Sequence, residues 1–137
     1  LVMAAAVADF RPAEVSDAKM KKGDDGGAPV IVLERTPDVL ATAVRTRSEG
    51  GPMAPLIVGF AAETENLLEY AARKLRDKNL DLIVANDVAN PSIGFNSEDN
   101  AVSVIDRQQH ETRFGQASKG HIARALVAFI AERYKES

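Results

Sequence analysis

Residues Val58–Asp87 read VGFAAETENLLEYAARKLRDKNLDLIVAND. The start, with Leu56–Phe60 as LIVGF, has the continuous apolar character of a buried strand. Gly59 in it marks a close approach of backbone or ligand. From Asn66 to Asn79 the apolar residues Leu67, Ala71 and Leu75, with Leu68 and Ala72, recur at helical spacing and form the buried face of a helix. Asn66 and Glu69 stand three apart, the pattern of a capping box. Asp81–Ala85 (DLIVA) is a second buried strand, ending in Asn86-Asp87. The stretch is thus a strand–helix–strand unit with polar residues gathered where its strands end, the edge at which ligands bind in open α/β sheets.

Lys74 and Lys78 lie four residues apart on that helix and project from one side. Position 70, four before Lys74, is a tyrosine, and Lys78 has Lys74 itself at i−4, so neither has an acidic partner there. Two readings follow from the spacing: a solvated charged face, or a pair facing an anion such as a phosphate.

On the N-terminal side, Leu1–Ala8 is a continuous apolar run of strand length, which predicts a strand covered on both faces. It ends in Asp9-Phe10-Arg11-Pro12, either a turn with a surface ion pair or part of a binding rim. Asp17–Gly27 (DAKMKKGDDGG) is loop-like. Lys19, Lys21 and Lys22 in it form either a solvated face or a flap carrying ammonium groups to an anion. Pro29–Glu34 predicts a short strand. Thr36-Pro37-Asp38 predicts a helix start, with Thr36 as cap, Pro37 in the first position and Asp38 favouring the positive end of the dipole. Leu40, Ala43 and Val44 are its apolar stripe, running to about Arg47. Ser48–Pro55 is a Gly- and Pro-rich turn.

On the C-terminal side, the segment from Val88 to Asn100 is a long loop, which favours function. Ala101–Ile105 and Glu111–Phe114 predict a β-hairpin, and Ser118 caps a last helix. Ile122, Leu126, Phe129, Ile130 and Tyr134 are its core-facing stripe. His110 and His121 do not form a metal-binding pattern.

The chain has 137 residues, the size of one domain. No apolar run approaches the ~18 residues of a membrane span. A formal charge of −3 argues against broad nucleic-acid or membrane-surface binding while leaving room for one basic pocket. There is no cysteine, which excludes disulfides and thiol chemistry and fits a cytoplasmic protein. GxGxxG, GxxxxGK[ST] and GxSxG are all absent, so a dinucleotide turn, a P-loop and a serine-nucleophile elbow lack support. The expected architecture is α/β, a Rossmann-like three-layer sheet, mostly parallel, with a C-terminal β-hairpin and helix. Asp9, Lys19, Phe60, Lys74, Lys78 and Asn86 line its edge. That set suits a phosphorylated ligand, with catalysis by positioning and charge stabilisation.

Several motifs together resemble the phosphopantothenate–cysteine ligase (phosphopantothenoylcysteine synthetase) family: AAAVADFRP at Ala4–Pro12, AKMKK at Ala18–Lys22, TPDVL at Thr36–Leu40, VGFAAET at Val58–Thr64, ARKLRDKNLDLIVANDV at Ala72–Val88 and FNSEDNAV at Phe95–Val102. They follow the family's order over nearly the whole chain. The resemblance implies the C-terminal synthetase part of a bifunctional protein of coenzyme A biosynthesis whose other half is an FMN-dependent decarboxylase. It also implies a Mg²⁺-assisted, CTP-dependent reaction joining 4′-phosphopantothenate to L-cysteine, and a homodimer or higher oligomer. Carried over by position, Met3, Ala4, Ala5 and Asp9 would line the nucleotide and acyl pocket. Lys19 would be the flap lysine that stabilises charge at the reacting phosphoryl group. Pro37, Asp38, Val39 and Leu40 would hold the nucleotide, Phe60 would lie under it, and Lys74 and Lys78 would bind the triphosphate.

Measured against the family pattern, the first half of the synthetase domain, with its glycine-rich opening and an asparagine that handles the acyl-cytidylate, is absent from the sequence. The expectation is therefore an incomplete domain, residues 1–137 forming its C-terminal portion, with poor ligation by the isolated chain. A non-catalytic nucleotide-binding or dimerisation module is the competing reading. A generic NAD-binding oxidoreductase is disfavoured by the missing glycine fingerprint.

Overall fold

The computed structural model describes residues 1–18, 28–49, 55–63, 66–87 and 97–136. In chain order the elements are β1 (Val2–Met3), β2 (Phe10–Pro12), β3 (Leu33–Arg35), α1 (Val39–Glu49), β4 (Val58–Glu63), α2 (Leu67–Asp77), β5 (Leu82–Asp87), β6 (Asp99–Asp106), β7 (Glu111–Ser118) and α3 (Lys119–Glu136). The strand–helix–strand unit of the sequence is β4–α2–β5. Its strands pair in parallel, Val58 opposite Leu82 through Glu63 opposite Asp87. β1 joins β4 in parallel, and the β6–β7 hairpin adds two antiparallel strands beside β5, giving the order β1-β4-β5-β6-β7.

Helices cover both faces. Along β5, Ile83 and Ala85 face a cluster with Ile57, Ala61, Ala71, Leu75 and Leu80, against which Leu40, Ala43 and Val44 of α1 pack. Leu82 and Val84 face the other way, onto Val58, Val102, Val104, Ile122 and Leu126 of the α3 side. All four of these β5 residues are at most 2% exposed. Burial on both faces is what the unbroken Leu-Ile-Val-Ala run encodes. The chain thus forms a three-layer, Rossmann-like α/β fold. No described helix is long and apolar enough to cross a membrane.

Helix α2 stops through a sequence-encoded motif. Asn79 takes the left-handed conformation (φ 49°). Its N–H reaches the Arg76 carbonyl, and the Leu80 N–H reaches the Leu75 carbonyl, both at 3.0 Å. This is a Schellman ending, and the accompanying apolar contact joins Leu75 and Leu80, both in the core. Just beyond it, Asp81 ties the lower edge together. One of its carboxylate oxygens accepts from Arg47 of α1 and from the Ile57 N–H at 2.6 Å, and the other meets Arg107 of the hairpin at 3.0 Å. Arg47 also donates to the Asn79 carbonyl and Arg107 to that of Leu80.

Several local expectations are corrected. The apolar start yields only the two-residue strand Val2–Met3, and residues 4–8 are exposed. The run is apolar enough for a covered strand, but no described element lies over it. The α1 cap is Asp38, whose Oδ1 accepts the Ala41 N–H at 2.9 Å. The Thr36 hydroxyl instead donates to the Ala8 carbonyl. Asn66 stands at the N-cap of α2 with φ 47° and makes no side-chain cap hydrogen bond, so the capping box does not form. That box needs an extended cap residue. Leu68 and Tyr134 turn outward, at 37% and 56% exposure. The strand expected over Pro29–Glu34 is Leu33–Arg35, paired antiparallel with β2 in a separate ribbon. Arg11 makes a surface ion pair there, with Glu34 at 2.7 Å. The Ser118 cap holds, its Oγ accepting the His121 N–H at 3.3 Å.

Candidate nucleotide site

The carboxyl ends of β1, β4 and β5 define one edge of the sheet. Helix α2 starts at that edge, and helical side chains tilt toward their helix N-terminus. Lys74 and Lys78 therefore lean back toward the N-terminal end of α2. The Lys74 ammonium donates to the Phe60 carbonyl oxygen at 3.1 Å. Lys78 reaches across to α1 and pairs with Asp38 Oδ2. So the acid absent at i−4 on the lysines' own helix is supplied, for Lys78, from the cap of another.

Asp38 spends its two oxygens on two neighbours. The Ala41 N–H first, and then the Lys78 ammonium, hold its carboxyl below the ordinary aspartate range. Both partners of the ion pair stay accessible, at 35% for Lys78 and 46% for Asp38. An open surface depression of about 360 Å³ runs along one face of α2, lined by Tyr70, Arg73, Lys74, Asp77 and Lys78, all of that helix or its C-cap. Arg73 lies over the Tyr70 ring at 4.9 Å. Tyr70 and Arg73 escaped the sequence reading, although the spacing 70-73-74-77-78 is that of one helix face.

The other expected residues fall as follows. Met3 sits half-buried on β1 opposite Gly59, and Ala4 and Ala5 follow it, exposed. The Asp9 carbonyl accepts the Thr36 N–H at 3.0 Å, which fastens the Asp9 segment to the entry of α1. Pro37 and Val39 are exposed there, while Leu40 is half-buried against the α1–α2 core. The Phe60 side chain packs with the α3-side cluster, on the sheet face opposite the lysines, so that its backbone rather than its ring meets Lys74. The Asn86 Oδ1 is buried without a hydrogen-bond partner at the end of β5. Lys19 lies outside the described residues.

Residues 1–134 match the family described as DNA/pantothenate metabolism flavoprotein, C-terminal domain. The chain belongs to that family. This flavoprotein C-terminal domain is 39% identical over 137 residues to the coenzyme A biosynthesis bifunctional protein CoaBC of Bacillus subtilis (strain 168), covering 100% of the chain and 32% of that protein. It is 38% identical over 129 residues to a cysteine/cysteine sulfinic acid decarboxylase of an unknown prokaryotic organism, covering 94% of the chain and 34% of that protein. The crystal structure of the C-terminal domain of a CoaBC superposes with a TM-score of 0.67 at 33% identity, over 97% of this chain and 53% of that one. The flavoprotein C-terminal domain thus spans about a third of the length of these curated relatives.

Among the described residues no group of three or more His, Cys, Asp or Glu side chains could hold a metal ion. Mg²⁺ that travels with a nucleotide is bound mainly through phosphates and water. The lysine-lined cleft fits such an ion only as part of the incoming ligand.

Proposed function

We propose that this domain binds the triphosphate of CTP for a phosphopantothenate–cysteine ligase of coenzyme A biosynthesis. The observation that carries the reading is the pair Lys74 and Lys78 on one face of α2, Lys74 donating to the Phe60 carbonyl within β4 and Lys78 reaching Asp38 at the start of α1. The matched relatives bear two different activity names over similar shares of their length, so a name alone does not assign this third. The chemistry of the cleft favours phosphate binding.

In the proposed reaction a carboxylate oxygen of 4′-phosphopantothenate attacks the α-phosphorus of CTP. The bond to the β-phosphate oxygen breaks and pyrophosphate leaves. The L-cysteine amine then attacks the acyl carbon of the mixed anhydride, CMP departs, and the nitrogen loses a proton. Lys74 and Lys78 hold the β- and γ-phosphates by charge-assisted hydrogen bonds and stabilise the leaving pyrophosphate. Met3, Ala4, Ala5 and Asp9, and the α1 entry at Pro37–Leu40, frame the nucleotide and the acyl group. Phe60 supports the nucleotide through its backbone, and Lys19 supplies further positive charge at the reacting phosphorus. Mg²⁺ arriving with CTP neutralises part of the phosphate charge. FMN belongs to the decarboxylase part of the bifunctional relatives and takes no role in this step.

Residues 1–137 are proposed to be the C-terminal portion of the synthetase domain, working in the cytoplasm as a homodimer or within a higher oligomer. Exposed Val30, Ile31, Val32 and Leu33, leading into the β2–β3 ribbon, suit pairing with a second copy. The competing reading, a non-catalytic nucleotide-binding or dimerisation module, predicts no turnover even in the full-length protein, and as a pure dimer module no CTP binding. Pyrophosphate release with CTP, 4′-phosphopantothenate and cysteine separates the two. Thermal shifts with CTP beside ATP test the base: a larger shift with CTP is expected, and an equal or larger one with ATP overturns the CTP assignment.

A further inference from the structure

We propose that Asp38 is the resting counter-ion of this site: its carboxylate positions the Lys78 ammonium and yields it when a polyphosphate binds. The inference rests on the phosphate-binding reading above and assigns the Asp38 side chain a role distinct from contact with the nucleotide.

The two lysines are not equivalent. Lys74 donates to a neutral acceptor, the Phe60 carbonyl, and among the described residues has no carboxylate within ion-pair distance. Lys78 meets a full negative charge from a residue 40 positions away. That charge is held firmly, because Asp38 Oδ1 is fixed by the Ala41 N–H while Oδ2 faces Lys78. Capping removes the rotamer freedom that makes surface ion pairs loose, so Lys78 is aimed at the α1 entry before any ligand arrives.

The pair is nevertheless easy to exchange. Both side chains are open to solvent, and accessible ion pairs contribute only about 0–1 kcal/mol. A triphosphate brings more charge than one carboxylate and can meet Lys74 as well. When it takes Lys78, Asp38 keeps its cap through Oδ1, so helix α1 is undisturbed. A lone phosphate meets the same competition with less charge of its own. The cost of freeing Lys78 is common to every anion, so Asp38 sets a threshold that any ligand of this lysine must meet.

Asp38→Asn retains a cap acceptor and removes the charge. Titration of the full-length protein with inorganic tripolyphosphate and, separately, CTP reads the effect, with thermal unfolding confirming the fold. The variant is expected to bind tripolyphosphate about two- to fivefold more tightly. Inorganic phosphate, which meets the same counter-ion, should also bind more tightly. In a Lys78→Ala background the gain should fall to less than half its logarithmic size, a coupling that helix capping alone does not produce. No gain, a loss, or a gain that persists beyond that limit overturns the proposal. Tripolyphosphate carries no base, so a response to it without CTP binding keeps the counter-ion role and rejects the CTP reading. CTP binding indifferent to Asp38→Asn does the reverse.

Discussion

Leu80 fills the space that a side chain at Gly59 would need. A methyl group built on Gly59 stands 2.6 Å from Leu80 Cδ1, and Leu80 is fully buried. Gly59 lies on β4 between Val58 and Phe60, opposite Ile83, so helix ending and strand interlock here. Gly59→Ala should destabilise the fold by about 1–3 kcal/mol through overpacking. Combined with Leu80→Ala, which alone costs about 2–5 kcal/mol as a cavity, the effects should be clearly less than additive. Denaturant unfolding of the four proteins reads this, and strict additivity would show that the two residues do not share one space.

Asp81 holds the opposite edge of the sheet. It joins α1, the start of β4 and the hairpin through Arg47, the Ile57 N–H and Arg107. The Arg47 side chain is only 10% exposed. Asp81→Ala leaves that guanidinium without its carboxylate and should cost about 3 kcal/mol. Arg47 of this network also holds the Asn79 carbonyl beside Lys78, so anion affinity of the folded variant should fall, but by no more than about threefold. Chemical denaturation and a phosphate titration check the two halves of this statement.

Acid should weaken the fold through two surface carboxylates. Asp38 is held below its ordinary value by the Ala41 N–H and then Lys78, and Glu111 by Arg113 and then Ser103. A depressed folded-state value means that the unfolded chain takes up protons first as pH falls. The stabilisation is therefore complete above the unfolded values near about pH 4 and disappears as pH drops through the folded ones. The thermal midpoint should fall between about pH 5 and pH 2, and more shallowly in Asp38→Asn and Glu111→Gln. An equal slope in both variants would remove these groups from the account.

The three layers were legible because the relevant signals are local. Leu82–Ala85 is apolar at every position since both faces of β5 are covered, and the helical spacing of Ala71 and Leu75 reports one packed face. Ser118 announced its helix by the same local logic. Partnerships across the chain were not legible. No pattern around Lys78 names Asp38, because the two meet only after α1 and α2 pack side by side. The Leu1–Ala8 run misled for a related reason: apolar character states a demand for cover, whereas the cover itself must come from elsewhere. Asn66 and Glu69 matched a capping box in type and spacing, yet the backbone at Asn66 turned left-handed and put the cap out of use.

The central claim is that Lys74 and Lys78 bind a nucleoside triphosphate beside the entry of α1. Calorimetric titration of the full-length protein with CTP, beside Lys74→Ala, tests it most directly. The wild-type protein should bind CTP saturably, and the variant, still folded and unfolding cooperatively, at least about tenfold more weakly, as loss of a charge-assisted hydrogen bond requires. CTP binding of equal strength in both proteins, or no CTP binding in the wild type, would contradict the account.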